Sequence, residues 1–264
     1  MQQACFRQLI FEHFQSQGRV FPWRQTEDPY AITVSEFMLQ QTQTERVLPK
    51  YGRFLLEVPT WEALAQLPVE HLLRLWQGLG YNRRVLNLQR AAQMVVSQFK
   101  GTLPRDAGEL EKLPGIGPYT ARAICVFAFN QPAVMIETNI RRVFLHHFFA
   151  DQAGIADAAL MPLIEETLDH ANPRNWYYAL MDYGAWLTKS VPNPNRRSKH
   201  YSKQSKFEGS NRQLRGRLVK ILTEGAVPSL AVLAEEVGES PDRIENMLVT
   251  LRKEGFPVPL ALSR

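Results

Sequence analysis

Apolar residues recur at intervals of three and four along most of the chain, the spacing that lines one face of an α-helix. Phe6, Leu9, Ile10 and Phe14 set the first such stripe, over residues 4–17, and Gly18 ends it. The segment FPWRQTEDPY at 21–30 breaks the pattern with Pro22 and Pro29. Further helices are predicted at about 31–43, 45–57, 60–66, 69–77, 83–99, 106–112, 118–129, 137–149, 157–170 and 174–187. Each is short and amphipathic, the connections are brief, and no strand-like alternation interrupts them. The pattern predicts an all-α domain over roughly residues 1–190.

A smaller helical unit follows at 213–264. After a helix at 213–224, Ser229 can cap a helix that runs to Val237, with Gly238 just past its end. Ser240 can cap a third, with Pro241 at its first position, Gly255 after its last turn and Ile244, Leu248 and Leu251 as its apolar stripe. With FPVPLALS as a short wing, the unit resembles a winged helix-turn-helix. Its last helix mixes Asp242, Glu245 and Glu254 with Arg243, Arg252 and Lys253, so it is nearly neutral. That balance fits packing or protein contact, and DNA contact stays open beside it.

Composition sharpens this picture in two places. The chain has 264 residues, 45% hydrophobic and 22% charged, which excludes global disorder. No apolar run is long enough for a membrane span; the best, from Ala121 to Ile136, is broken by Arg122, Asn130 and Pro132. The N-terminal residues carry no basic leader with an apolar block, so a cytoplasmic, unprocessed protein is expected. The net charge of +5 is unevenly placed: Lys189 to Arg217 holds nine basic residues and one acid, leaving −3 for the rest. That segment is rich in Ser, Asn and Pro and reads as a loop, either a solvated linker or a strap for phosphates. Two cysteines, Cys5 and Cys125, exclude a disulfide framework.

The candidate chemistry lies in short motifs. Residues 113–120 read Leu-Pro-Gly-Ile-Gly-Pro-Tyr-Thr and run straight into a helix. Two glycines allow a tight turn and close backbone approach, and a helix start offers amides to an anion. Gly115 and Gly117 can thus seat one phosphate while reading no base sequence. Residues 35–43, SEFMLQQTQ, place Glu36 and Gln40 on one helix face, with amides at 40, 41 and 43 suited to base edges. Gly78-Leu79-Gly80-Tyr81 puts an aromatic ring at a loop tip.

Taken in order, FPWR…DPY (21–30), SEFMLQQTQ (35–43), LWQGLGY (75–81), LPGIGPYTARAI (113–124) and ETNIRRV (137–143) resemble the helix-hairpin-helix (HhH-GPD) DNA glycosylase superfamily. Within it they are similar to the MutY-type adenine DNA glycosylases, over residues 20–188. The resemblance implies a two-lobed helix-hairpin-helix glycosylase domain at 1–188, a basic linker at 189–212 and the winged-helix-like unit at 213–264. It implies a bacterial-type, nucleoid-associated base-excision repair enzyme. Acting on double-stranded DNA as a monomer, such an enzyme flips a mispaired adenine from the duplex and hydrolyses its N-glycosidic bond. In this likeness Glu36 falls at the acid that protonates the base and Glu137 at the catalytic carboxylate. Asn139 stands beside that carboxylate, and Tyr119 stands where lyase-competent relatives carry a Schiff-base lysine. A monofunctional enzyme without a lyase step is therefore expected. Gln40, Gln41 and Tyr81 match positions that enter or line the DNA, and Gly115, Gly117 and Thr120 match the hairpin.

Three departures qualify the likeness. Glu137 replaces an aspartate, which lengthens the carboxylate's reach by one methylene. The four cysteines of an iron–sulfur cluster are absent from Thr188 to Ser210, so no cluster and no required cofactor is expected; a monovalent cation at the hairpin is the one ion the likeness admits. Arg196, Arg197 and Lys199 stand in that slot as candidate phosphate contacts. The large C-terminal domain that recognises 8-oxoguanine is not expected, since a small helical unit stands in its place, which leaves open thymine, uracil or a damaged purine as the excised base, and a non-catalytic DNA binder on the same scaffold.

Overall fold

The computed structural model describes residues 3–204, 206–224, 229–259 and 262. Its helices, in chain order, are α1 (Gln3–Gln17), α2 (Pro29–Leu39), α3 (Thr44–Glu57), α4 (Trp61–Gln66), α5 (Val69–Trp76), α6 (Arg83–Phe99), α7 (Ala107–Glu111), α8 (Pro118–Phe129), α9 (Thr138–Phe148), α10 (Asp157–Thr167), α11 (Pro173–Ser190), α12 (Asn211–Glu224), α13 (Leu230–Val237) and α14 (Pro241–Glu254). Short 3-10 turns occupy Pro22–Arg24 and Pro194–Arg197. Among the described residues there is no strand, and one isolated parallel bridge joins Ile155 to Ser198. No helix among them is long and apolar enough to cross a membrane.

The chain divides into two compact units. The first comprises Met1–Glu36, Pro104–Lys112 and Ile116–Lys203. Its core is built on α1, α8, α9 and α11, with Phe6, Phe144, Trp176 and Tyr177 fully buried. Phe6 meets Phe144 with ring centroids 5.4 Å apart and meets Trp176 edge-on at 6.0 Å. The FPWR segment is architectural here. Asp182 on α11 is buried, and it accepts from Arg19 Nε at 2.7 Å and from both terminal nitrogens of Arg24 at 2.8 Å. Burial alone would raise the Asp182 pKa, but the bonds and charges of Arg24 and Arg19 prevail and hold it below the usual range.

The second unit comprises Phe37–Leu103, Leu113–Gly115 and Gln204–Arg264. Leu64, Leu72, Trp76, Leu88, Leu218 and Ile244 are fully buried in it. The expected caps form: Ser229 accepts from the Val232 amide, Ser240 from the Arg243 amide, and Gly238 and Gly255 close their helices in the left-handed conformation. The C-terminal helices fold onto residues 37–103. Arg74 donates to the Thr223 carbonyl at 3.2 Å and Arg90 to the Glu254 carbonyl at 2.7 Å, while Arg215 pairs with the Glu254 carboxylate. Residues 256–259 of the expected wing have no regular structure, and 260, 261 and 263 lie outside the described residues.

Candidate active site

Four residues named from sequence come together in the first unit. Glu36 sits near the end of α2, Tyr119 in the first turn of α8, and Glu137 and Asn139 at the start of α9. Glu137 is the N-cap of α9. Its Oε1 accepts from the backbone amides of Asn139 at 2.7 Å and Ile140 at 2.9 Å, and its Oε2 accepts from Asn139 Nδ2 at 3.3 Å. An N-cap needs a short acceptor, and aspartate serves well. Here the extra methylene is taken up by the loop back to both amides.

Asn139 is itself held. Arg142 Nη1 donates to Asn139 Oδ1 and to the Gly184 carbonyl, both at 2.6 Å. Gly184 lies inside α11, where glycine costs about 1 kcal/mol relative to alanine. A Cβ there would lie 2.4 Å from the Asn139 carbonyl oxygen, so only glycine lets α11 approach the start of α9 this closely. Arg142 and Gly184 were not singled out from the sequence. The available signals were the place of Arg142 within the motif ETNIRRV and a glycine inside the helical run LMDYGAWL.

The electrostatics separate the two carboxyls. Glu36 is buried, and among the described residues no hydrogen bond reaches its carboxyl. Burial, seconded by the negative charge of Glu137, raises its pKa to about 8. The Glu137 pKa is also raised by burial, but the amides of Asn139 and Ile140 and the charges of Arg142 and Arg141 pull back against that rise. Tyr119 is pushed well above its usual value by burial and by both carboxylates, so its phenol stays protonated. The cluster therefore sets a carboxyl that keeps its proton at neutral pH, and a neutral phenol, beside a second carboxyl whose ionised form is favoured by two backbone amides and two arginines against its burial.

The motif at 35–43 is not one continuous helix. α2 stops at Leu39, and Gln40 to Gln43 form a turn in the second unit, so Gln40 and Glu36 do not share a helix face as the spacing had implied. The cause is Arg84 of α6. Its buried guanidinium donates to the carbonyls of Phe37, Met38 and Gln40 at the end of α2, to Thr42 Oγ1, and to the carbonyls of Leu79 and Gly80. One side chain thus shapes two loop tips. On them Gln41 (φ +54°) and Tyr81 (φ +47°) are exposed and adopt the left-handed conformation that non-glycine residues avoid. The Tyr81 hydroxyl accepts from Gln204 Nε2 at 2.6 Å and Arg212 Nη1 at 3.3 Å. Gln40 Nε2 donates to the Gly115 carbonyl at 3.3 Å.

In the hairpin, Gly115 has φ +83°, and a Cβ there would lie 2.7 Å from Phe37 and 2.8 Å from Asn87. Gly117 is exposed at the N-cap of α8, with no side chain capping it and open space where a Cβ would be. Thr120 is buried. In the basic segment, Arg196 and Lys199 are exposed, whereas Arg197 is half-buried and donates to the Leu145 carbonyl at 3.3 Å.

The donor set does not fit a four-thiolate iron–sulfur cluster. Residues 188–210 hold no cysteine, Cys5 is on α1, and Cys125 is on α8 with its thiol donating to the Arg105 carbonyl at 3.4 Å. Among the described residues no group of three or more His, Cys, Asp or Glu is placed to hold a metal ion.

Comparison with known proteins fits this geometry. The model of the HhH-GPD superfamily base excision DNA repair proteins matches residues 34–166, a stretch that contains Glu36, the hairpin and Glu137. The adenine DNA glycosylase of Buchnera aphidicola subsp. Baizongia pistaciae is 34% identical over 201 residues, covering 74% of this chain and 56% of its own length. The Homo sapiens adenine DNA glycosylase is 36% identical over 194 residues, covering 69% and 36%. That of Mycolicibacterium smegmatis is 33% identical over 234 residues, covering 80% and 78%. The chain thus spans about half, or less, of the length of the first two of these relatives. Among solved structures, a thermostable thymine-DNA glycosylase superposes with a TM-score of 0.62 at 27% identity, covering 69% of this chain and 86% of its own. An endonuclease III in a non-covalent DNA complex shares the fold, with a TM-score of 0.60 at 19% identity, covering 75% and 96%. The chain belongs to the HhH-GPD superfamily of base excision DNA repair proteins.

Proposed function

We propose that this protein is a monofunctional DNA glycosylase that hydrolyses the N-glycosidic bond of a mispaired adenine, opposite 8-oxoguanine or guanine, in double-stranded DNA. The observation that carries the reading is the placing of Glu36, buried and with its pKa raised to about 8, in one cluster with Glu137, whose carboxyl is held by two backbone amides and by Asn139. The names of the adenine-specific relatives support the choice of base. Adenine leaves deoxyribose as a poor anion unless a ring nitrogen is protonated first. Glu36, with its pKa near 8 and no competing hydrogen bond, holds that proton at neutral pH. As the C1′–N bond breaks, its electron pair goes to the protonated base and the sugar becomes oxocarbenium-like. The Glu137 carboxylate, aimed by two backbone amides and by Asn139, faces that positive charge. Water then adds to C1′ and its proton returns to the Glu36 carboxylate.

Tyr119 supplies a neutral phenol and no amine, so no Schiff base forms and strand cleavage needs a separate step. Gln41 and Tyr81, at tips fixed by Arg84, are the residues assigned to enter the duplex, and Gly115 and Gly117 to seat a phosphate. Arg196 and Lys199 add exposed cationic contacts, so affinity should fall with salt. No cofactor is required in this reading, and the protein acts as a monomer.

Single-turnover excision on duplexes carrying A, T, U or hypoxanthine opposite G and 8-oxoguanine tests the reading. Adenine release, with strand breaks appearing only after hot alkali, is expected. Release of thymine or uracil in preference to adenine would overturn the substrate, and release of no base would overturn the activity.

A further inference from the structure

The direction of the Glu137 carboxylate depends on where the first turn of α9 sits, because Glu137 caps that turn. Two of the restraints on the turn come from α9 and α11, through Arg142 and Gly184. Another comes from the basic segment. Asn195 is 5% exposed, and its Nδ2 donates to the Thr138 carbonyl, the first of α9, at 3.0 Å. A carbonyl has two lone pairs, so it can take this bond beside a helical one.

Asn195 is placed there by several independent contacts. Asn193 Oδ1 accepts from the Asn195 amide at 3.1 Å. Backbone bonds tie Ile155 to Arg197 at 2.9 Å and Lys199 to Ile155 at 2.8 Å. Arg197 reaches the Leu145 carbonyl, three residues before the end of α9. The turn at 193–199 therefore runs along α9 and is fastened to it near both ends. A solvated linker needs none of this. Burying an amide is unfavourable unless it is bonded, and Asn195 Oδ1 is buried without a partner. The burial makes sense if the donor end of the amide has work to do at Thr138.

We propose that Asn195 is a positioning residue for Glu137, holding the first turn of α9 so that the carboxylate keeps its two amide bonds and its aim. The inference rests on the reading of Glu137 as the carboxylate that faces the sugar. It gives the first half of the basic segment a role distinct from phosphate contact.

Asn195→Ala tests it. The single-turnover rate should fall roughly tenfold to a hundredfold while affinity for the substrate duplex is kept. The acidic limb of the pH–rate profile should move to higher pH, because a loosened cap no longer stabilises the ionised carboxylate. The charged and titratable groups facing Glu137 are Glu36 from α2, Tyr119 from α8 and Arg141 and Arg142 from α9 itself, and none is altered. Amide hydrogen exchange at Asn139 and Ile140, whose N–H groups the cap holds, should speed up by about tenfold. Asn193→Ala loosens the turn and keeps the amide, so it should move all three readouts the same way by less. It carries the test if Asn195→Ala does not fold.

Unchanged exchange at Asn139 and Ile140 with an unmoved acidic limb would overturn the proposal. A wild-type protein that releases no base, but whose variant shows the faster exchange, would sink the adenine reading and leave the positioning role standing.

Discussion

Glu36 and Arg84 are both buried ionisable side chains, one in each unit, and they are buried on opposite terms. The Glu36 carboxyl has no hydrogen bond among the described residues, and burial drives its pKa up to about 8. The Arg84 guanidinium spends its donors on the carbonyls of Phe37, Met38, Gln40, Leu79 and Gly80 and on Thr42. Burial pushes its pKa down only to about 10, so it stays charged at neutral pH. A buried polar group with a full set of partners is architecture. One without them is costly to the fold, and the cost makes sense where chemistry needs a displaced pKa.

Removing the acid should give the largest effect. Glu36→Gln keeps the shape and removes the proton, and excision should fall by roughly 10³-fold, within the range for a general acid, while duplex binding persists. Single-turnover assays beside a gel-shift titration separate the two. Turnover near wild type in this variant would dissolve the contrast with Arg84, since Glu36 would then be one more buried side chain.

Arg84→Met should act on the other side of the comparison, with little chemistry lost directly and much structure. It leaves the end of α2 and the Gly78–Tyr81 loop with buried carbonyls that have no donor, each costing roughly 1–3 kcal/mol. Chemical denaturation should show a loss of about 3 kcal/mol. A loss below about 1 kcal/mol would mean that water replaces the guanidinium and that the tips do not depend on it.

The contrast also explains what the sequence made legible. Helix starts and stops governed by local chemistry were readable: Ser229, Ser240, Gly238 and Gly255 act where they stand. The carboxyls at 36 and 137 were readable too, because their motifs are ordered and specific. The stop of α2 at Leu39 was not, because polar residues 40–43 continue a helical spacing and the agent that ends the helix lies more than forty residues downstream at Arg84. The packing of the basic segment was not readable for the same reason. Its Ser, Asn and Pro content says loop, and the docking of that loop shows only in contacts distant in sequence, from Asn195 to the Thr138 carbonyl, from Arg197 to the Leu145 carbonyl and between Ile155 and residues 197 and 199. Contacts distant in sequence leave no local pattern.

The pH dependence of stability sharpens the contrast further. The folded-state pKa of Glu36 lies above its unfolded value, so the folded protein binds more protons. Its contribution is favourable below pH 4.5 and is lost as pH rises toward about 8. A shift of that size corresponds to an upper bound of ~5 kcal/mol. Glutamine at 36 would be neutral throughout but still a buried amide, which returns part of the gain. Glu36→Gln is therefore expected to be more stable than wild type by about 2 kcal/mol at pH 9, while wild-type excision falls off above about pH 8. Equal stability of the two proteins from pH 6 to pH 9 would show that the Glu36 carboxyl is solvated in the folded state.

The smallest effect is expected at Gln41, whose backbone is held between two groups bonded by Arg84. Its backbone is left-handed at φ +54°, a conformation that costs a non-glycine residue about 1 kcal/mol. It is held there because Arg84 takes the Gln40 carbonyl on one side and Thr42 Oγ1 on the other. Gln41→Gly relieves the strain but gives the unfolded chain more freedom, so the net gain should stay below about 1 kcal/mol. The side chain is exposed and gives the fold nothing that would offset its strained backbone. If its amide enters the duplex, the glycine variant should be slightly more stable and bind substrate DNA several-fold more weakly. A variant that gains stability and keeps full affinity would show that the left-handed tip is only the geometric by-product of Arg84, and the structural side of the comparison would then extend to Gln41 itself.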